Sequence, residues 1–307
     1  MPLDPQKILN WKFPEIEHSY TEKDTMLYAL GLGCGSDPSE VGELRYVYEQ
    51  GLMALPTMAV VLAYPGNWLE SKESTADYSK VLHGEQYLTL HRPIPPAGTV
   101  IGRGRVKELL DKGKQKGAVL YVERQILDKA VGEPIATMTS AAVLRGDGGF
   151  GGKPGPQPEP HALPTPPPAR SLDIKVPANA ALIYRLSGDR NPLHADPAAA
   201  AKGGFGRPIL HGLCTYGVAG RAIIKACCAE DPTRLKGLQV RFSAPVFPGE
   251  TIRTEMWPDG SRVSFRARVV ERDVVVLNNG LATLSCAATV SDPGAGRDTS
   301  SQANSPA

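Results

Sequence analysis

The pattern of apolar and polar positions occurs twice in similar form, as one series in each half of the chain. In the second series, the apolar segment 213–229 contains no proline and is long enough for a buried helix. Strand-like runs follow it at 236–244, 250–257, 261–271 and 274–287. Asp259-Gly260 separates the second and third runs and is typical of a hairpin turn, because such turns need residues that tolerate positive φ. The second series therefore predicts one long helix followed by antiparallel strands.

The first series predicts the same order of elements. A helix is expected near 22–31, where Thr21 and Asp24 have the spacing of a capping box. The apolar segment 52–63 is expected to be a central helix with Pro56 in its first turn. Strands are expected at 85–92, 99–110, 117–128 and 134–145.

The two series also share the positions of several proline and glycine residues. Residues 83–100 and 236–252 each contain Gly-x-Gln, a strand-like run, two prolines and a glycine before a threonine. The matching pairs are Pro93 with Pro245, Pro96 with Pro248, and Gly98 with Gly249. Duplication explains this pattern, and chance similarity is the alternative. Together the elements predict an α+β fold in which each half wraps an antiparallel sheet around a helix.

A proline-rich segment separates the halves. Eight of the fifteen residues from Pro154 to Pro168 are proline, which neither a helix interior nor a central strand accommodates. We therefore predict a first domain at 1–150, a linker at 151–170 and a second domain at 171–290. The polar, small-residue-rich stretch 291–307 is predicted to be a disordered tail.

Composition narrows the classes of function. The 307 residues carry a net charge of +2, which argues against a protein that coats nucleic acid. No apolar stretch approaches about 18 residues, so no membrane helix is expected. The five cysteines have no metal-binding spacing and are odd in number, so we expect reduced thiols and neither a disulfide framework nor a metal site.

Candidate chemistry is concentrated in one short segment. Asp189, Asn191 and His194 place an acid, an amide and an imidazole within six residues. Gly188 and Pro192 enforce a non-helical path that can point these groups in one direction. A plain Asp/Asn-rich turn is the alternative, because Gly-Asp-x-Asn-Pro is favourable turn chemistry by itself.

A second candidate is Gly212, which follows His211 at the start of the predicted buried helix. Backbone N–H groups there lack helical partners and can stabilise a carbonyl oxygen that gains charge. An acid/base pair with such a donor suits the addition or removal of water beside a carbonyl group. A helix start that needs glycine only for packing is the alternative.

Several motifs resemble one family. Residues 184–197 and the run Ile209-Leu-His-Gly-Leu-Cys-Thr resemble the signature of MaoC-like (R)-specific enoyl-CoA hydratases 2. Leu82-His-Gly-Glu-Gln-Tyr-Leu and Arg241-Phe242 are similar to segments of the hydratase domain in peroxisomal multifunctional enzymes and of its stand-alone counterparts. The resemblance implies a double hot dog fold with two sheets, each wrapped around a central helix.

The resemblance also implies residue roles. Asp189 and His194 would be the catalytic acid/base pair, Asn191 would orient them or the water, and Gly212 would bind the thioester oxygen. Substrate contacts would come from His83, Gly84, Lys112, Phe242 and the loop residues Arg190, Pro192 and Leu193. Glu49 matches a family glutamate that would support the site. The first half, which lacks a second acid/base motif, would hold the acyl chain.

The implied activity is that of a hydro-lyase interconverting trans-2-enoyl-CoA and (3R)-3-hydroxyacyl-CoA in fatty-acid metabolism. A non-catalytic acyl-CoA-binding hot dog protein and a hot dog thioesterase are the alternatives. The expected partner is an acyl-CoA thioester, with no metal or other cofactor, no nucleic acid and no membrane; a homodimer is allowed. Ser305-Pro306-Ala307 differs from a Ser-Lys-Leu-type peroxisomal signal, which favours a bacterial cytoplasmic enzyme over a peroxisomal one.

Overall fold

The computed structural model describes residues 3–285 and places ten strands around one long helix. The helices are α1 Pro5–Leu9, α2 Glu22–Gly31, α3 Leu44–Val47, α4 Ala180–Tyr184, α5 Pro197–Lys202 and α6 Gly212–Cys227. The strands of the first half are β1 Ile16–Tyr20, β2 Val81–Leu90, β3 Gly98–Asp111, β4 Ala118–Asp128 and β5 Pro134–Leu144. Those of the second half are β6 Arg170–Lys175, β7 Leu235–Phe242, β8 Thr251–Asp259, β9 Arg262–Val269 and β10 Val274–Leu284.

All ten strands belong to one antiparallel sheet. Its order is β1-β3-β4-β5-β2-β7-β10-β9-β8-β6. The halves meet where β2 pairs with β7, with Leu88 opposite Leu238. The predicted α+β class and the repeated strand order are confirmed, but the expectation of two separate sheets is wrong. The edges of the two half-sheets satisfy each other's backbone hydrogen-bonding groups, which removes two exposed edges.

Helix α6 is the central helix of the second half. It packs against β6, β7, β8 and β10, and ten of its sixteen residues are buried. Gly220 allows the first half to approach this helix closely, because a Cβ at that position would lie 2.8 Å from Thr57 Cγ2. Helix α6 therefore sits in a core shared by both halves.

The first half has no equivalent helix among its described residues. The segment 52–63 forms only a 3-10 helix over Pro56–Val60, so the prediction of a central helix there is wrong. Pro56 fits the first turn, but the β-branched residues Val60 and Val61 disfavour a longer helix and Ala63 adopts a positive φ of 45°. The segment is nevertheless buried from Ala54 to Ala63. Its apolar pattern therefore indicates burial but does not indicate a helix.

Most other elements lie where the sequence places them. The capping box of Thr21 and Asp24 is formed at the start of α2. The eight predicted strands match β2–β5 and β7–β10 within a few residues, and the predicted hairpin joins β8 to β9. The short edge strands β1 and β6 were not predicted.

The proline-rich linker contains neither helix nor strand from residue 151 to 169. It lies against the second half, where Trp257 Nε1 donates to the Pro166 carbonyl oxygen (2.7 Å) and His161 bonds Ser264 Oγ (2.8 Å). The predicted tail and Cys286 lie outside the described residues. Within residues 3–285, the helices are all too short or too polar to span a bilayer.

Candidate active site

The Asp189–His194 loop is shaped by bonds between its own residues. Asp189 Oδ1 accepts the N–H of Asn191 (3.1 Å), and Asn191 Oδ1 accepts the N–H of Leu193 (3.0 Å). The second bond caps a 3-10 helix over Pro192–His194. Asn191 thus acts on the loop backbone, and through it sets the position of His194.

His194 is buried and held in one orientation. Its side chain is 8% exposed, and its Nδ1 lies 2.9 Å from the carbonyl oxygen of Ile209. Because a carbonyl oxygen only accepts, Nδ1 carries the proton and Nε2 presents its lone pair when the ring is neutral. Burial lowers the pKa of His194, against the opposing effects of the Ile209 bond and the charge of Asp189. The ring is therefore a neutral base at neutral pH.

His211 completes this cluster, and the sequence analysis assigned it no role. Its ring stacks on that of His194 with centroids 3.7 Å apart, and its Nε2 donates to the backbone oxygen of Asp189 (3.1 Å). Burial, and then the neighbouring imidazole of His194, lower the pKa of His211 to about 3. The His211-Gly212 dipeptide was the available sequence signal for this residue. His194, on which His211 stacks, lies seventeen positions earlier in the chain, so the stack is visible only in three dimensions.

Gly212 lies at the first position of α6, with His211 as the N-cap. A Cβ on Gly212 would lie 3.2 Å from the Phe242 ring, so glycine keeps this approach to the helix end open. Phe242 also contacts His83, with ring centroids 4.6 Å apart. The structure thus brings the predicted residues Gly212, Phe242 and His83 together.

The first half supplies another wall of the site. Burial, and then the charge of Asp189, raise the pKa of Tyr64. Tyr64 follows the buried segment that contains Pro56–Val60. A Cβ built on Gly188, next to Asp189, would lie 3.9 Å from the Val61 carbonyl oxygen, so this loop lies against the first half and the site lies between the two halves of the chain.

The remaining predicted residues lie in different surroundings. Gly84 is on β2 beside Val143, Leu193 is half-buried, and Arg190 and Pro192 are exposed. Lys112 Nζ donates to the carbonyl oxygen of Pro154 in the linker (2.5 Å).

Glu49 was predicted to support the site, but it is exposed in the turn after α3. Glu43 is the buried glutamate of this segment, and it forms an ion pair with Arg221 of α6. The Glu43 carboxylate ties this segment to the helix that carries Gly212, and the supporting role of Glu49 stays a prediction.

A cavity of about 290 Å³ opens beside the site. Gly84, Phe242 and Arg241 line it on one side, and Val143 and Gln157 line it on another. Arg241 is paired with the buried carboxylate of Glu85 (2.7 Å). Phe242, which lies beside Gly212, therefore connects the cavity wall to the site.

The clustered acid and imidazoles allow two kinds of chemistry. Ligand atoms of Asp189, His194 and His211 lie within 4.8 Å of one another, which is close enough to share a divalent cation. The same closeness suits proton exchange between a carboxylate and an imidazole. The N–H groups at the start of α6 favour proton exchange over metal binding. They add a hydrogen-bond donor for a developing oxyanion and supply no metal ligand.

Comparison with known proteins identifies relatives for both halves. Residues 18–146 match the family model of the MFE-2 hydratase 2 N-terminal domain, and residues 161–280 match that of the MaoC like domain. The chain is 39% identical over 291 residues to the peroxisomal enoyl-CoA hydratase 2 of Arabidopsis thaliana, covering 88% of this chain and 92% of that protein.

Solved structures agree with this assignment. A MaoC-like dehydratase from Phytophthora capsici superposes with a TM-score of 0.82 at 36% identity, covering 93% of this chain and all of that one. A Mycobacterium tuberculosis protein described as a double hotdog fold superposes with a TM-score of 0.52 at 17% identity, covering 89% and 93% of the two chains. The predicted double hot dog fold is confirmed.

Proposed function

Since this chain belongs to the MaoC-like enoyl-CoA hydratase 2 family, we propose that it is a hydro-lyase that interconverts trans-2-enoyl-CoA and (3R)-3-hydroxyacyl-CoA. One observation supports this proposal above the others. Asp189 and the neutral, oriented imidazole of His194 lie beside the start of α6, where Gly212 offers a backbone N–H. Hydration of an enoyl thioester needs these three groups: a base, an acid and an oxyanion donor.

In the hydration direction, His194 is the base. In the reactive form of the pair, the shared proton is on Asp189 and His194 Nε2 carries none. Nε2 accepts a proton from water while the water oxygen bonds to C3, because Nδ1 is committed to the Ile209 carbonyl oxygen. Asp189 delivers the shared proton to C2 and becomes a carboxylate, and the C2–C3 double bond becomes single. The proton on His194 then returns to the Asp189 carboxylate, which restores both groups. The opposite assignment of the two roles stays open, because coupled groups share their protons.

Gly212 stabilises the charge that develops between these steps. As water adds at C3, electrons move toward the thioester oxygen, and the Gly212 N–H bonds that oxygen as it becomes negative. The partial positive charge at the start of a sixteen-residue helix acts in the same direction. Loss of one such donor typically costs about 3–4 kcal/mol of transition-state stabilisation.

The rest of the substrate would lie on either side of these groups. The cavity lined by Gly84, Arg241 and Phe242 would take the thioester arm of CoA, with His83 against it. The acyl chain would extend toward the buried segment 54–63, against which the Gly188–Asp189 turn lies. The first half would then bind substrate without contributing an acid or base.

Three further expectations belong to this proposal. The proton transfers use protein groups alone, so we propose that no metal or redox cofactor takes part. The compartment is proposed to be the bacterial cytoplasm, or the peroxisome in a eukaryote, as for the Arabidopsis relative. A homodimer stays a prediction.

Crotonyl-CoA separates this proposal from its alternatives. A hydratase at catalytic concentration removes the enoyl absorbance and releases no thiol, whereas a thioesterase releases free CoA. An acyl-CoA-binding protein changes neither signal. Release of thiol without hydration, or unchanged absorbance at enzyme concentrations equal to substrate, would contradict the proposed function.

A further inference from the structure

A second cavity lies at the opposite end of the pair of strands that joins the halves. It has a volume of about 350 Å³ and is lined mainly by apolar residues, with Ala54, Pro56 and Ile94 from the first half and Leu235 from the second. In the β2–β7 register, Glu85 lies opposite Arg241 and Thr89 opposite Gly237. The active site therefore lies near one end of this pair, and the second cavity lies at its other end.

The internal repeat relates the two places. Lys236-Gly237 on β7 matches His83-Gly84 on β2 in the repeated sequence segments. Lys236 lines the second cavity, as Gly84 lines the one beside the active site. The cavity thus stands where the first half would carry its own site, but its lining contains no histidine and no carboxylate.

Packed structure separates the cavity from the catalytic groups. Lys236 and Phe242 are six positions apart on β7, which is roughly 20 Å along a strand. Between the cavity and the catalytic groups, α6 and the Pro56–Val60 turn are in direct contact, with Thr57 against Gly220. Tyr216 fills the space beside them, and its hydroxyl donates to the Leu238 carbonyl oxygen (2.8 Å).

The rim of the cavity is fixed and carries one uncompensated positive charge. Tyr20 and Thr25 donate to the carbonyl oxygens of Pro95 and Pro96 (2.9 and 2.7 Å), which holds the proline-rich wall. Arg92 is paired with Asp128 (2.7 Å). Lys236 has no carboxylate within ion-pair distance among residues 3–285.

From these observations we propose that the second cavity binds a free fatty acid, with its alkyl chain between the two halves and its carboxylate beside Lys236. The volume falls in the range of small-molecule sites, and one half-buried lysine at an apolar cavity matches a ligand with one anionic end. Because the cavity lining contains no histidine and no carboxylate, the ligand is bound and not converted.

Calorimetric titration of the full chain with decanoate tests this site. We expect one decanoate per chain, with affinity rising up to about fourfold for each methylene from hexanoate to decanoate. Lys236→Met should weaken binding by about fivefold, and Ala54→Trp should abolish it by filling the cavity. Lys7→Met, which removes an exposed lysine on α1, is the matched control and should bind as the original chain does.

Two further measurements distinguish this site from the active site. Asp189→Asn should bind decanoate normally, and Lys236→Met should hydrate crotonyl-CoA at the original rate. Failure of hydration with intact decanoate binding would count against the proposed function alone. The fatty-acid site would be overturned by no binding, by unchanged binding in Lys236→Met, or by competition with crotonyl-CoA at an inhibition constant equal to the decanoate Kd. A selective rise in KM for long enoyl-CoAs in Ala54→Trp would also overturn it. That result would show that the cavity is the end of the substrate's own acyl pocket.

Discussion

Replacing His211 with glutamine should change how the stability of the protein depends on pH. His211 is 1% exposed, and its pKa falls from an ordinary 6.5 to about 3. Between these two values the unfolded chain binds a proton at this position and the folded chain does not. Stability therefore falls as the pH is lowered through 6.5, because protonation favours the unfolded state. Glutamine removes the titration and keeps an N–H that can reach the backbone oxygen of Asp189.

The size of the effect follows from the two pKa values. At about pH 7.5 the unfolded-state histidine is almost neutral, and at about pH 5.5 it is about nine-tenths protonated. The difference in proton binding between these conditions corresponds to a loss of about 1.4 kcal/mol in the free energy of unfolding for His211 alone. His194 contributes a loss in the same direction, because its pKa is also lowered, but that part is common to both proteins.

Urea unfolding of the original chain and of His211→Gln at the two pH values measures this quantity. The original chain should lose about 1.4 kcal/mol more than the variant on acidification. His91→Gln, which removes an exposed histidine, is the control and should behave as the original chain does. Equal pH dependence in the original chain and His211→Gln would refute the assignment of His211 as a buried neutral ring.

Three other predictions concern catalysis and the support of the site. Asp189→Asn should retain the fold and lower the kcat for crotonyl-CoA by about 10²–10⁴-fold, because an amide cannot exchange the proton; near-original turnover would remove Asp189 from the mechanism. Glu43→Gln should lower the free energy of unfolding by about 3–5 kcal/mol, because it leaves Arg221 buried and unpaired. Glu40→Gln, which breaks the more exposed Lys225 pair, should cost at most about 1 kcal/mol. Dialysis against EDTA should leave the hydration rate unchanged, and recovery of lost activity by added zinc would show that the Asp-His-His cluster needs a metal.

The sequence predicts the parts of the fold that depend on local pattern. The eight longer strands alternate or are flanked by turn residues, and α6 is an apolar run without proline. Strands β1 and β6 are missed because they are edge strands with one buried residue each, so their alternation is weak. The segment 52–63 is misread because a buried apolar run has the same composition in a helix and in an irregular segment.

The candidate site was predicted as far as its residues are neighbours in the chain. Asp189 and His194 belong to one motif, and Gly212 follows a recognisable His-Gly pair. The stack of His211 on His194, and the ion pair of Glu43 with Arg221 across 178 positions, depend on tertiary packing. Glu49 was assigned from the family resemblance, whereas the burial of Glu43 is not visible in the sequence of this short segment.

The stereochemistry of hydration tests the central claim most directly. In the proposed mechanism Gly212 fixes the thioester oxygen at the start of α6, and Asp189 and His194 share one loop, so the planar enoyl group would present a single face to both groups. Water and proton then add from that face, and the product has one configuration at C3, which family membership identifies as R. Product from crotonyl-CoA should be oxidised by a dehydrogenase specific for (3R)-3-hydroxyacyl-CoA and give almost no NADH with an S-specific one. Substantial NADH from the S-specific dehydrogenase, or a racemic product, would contradict the account.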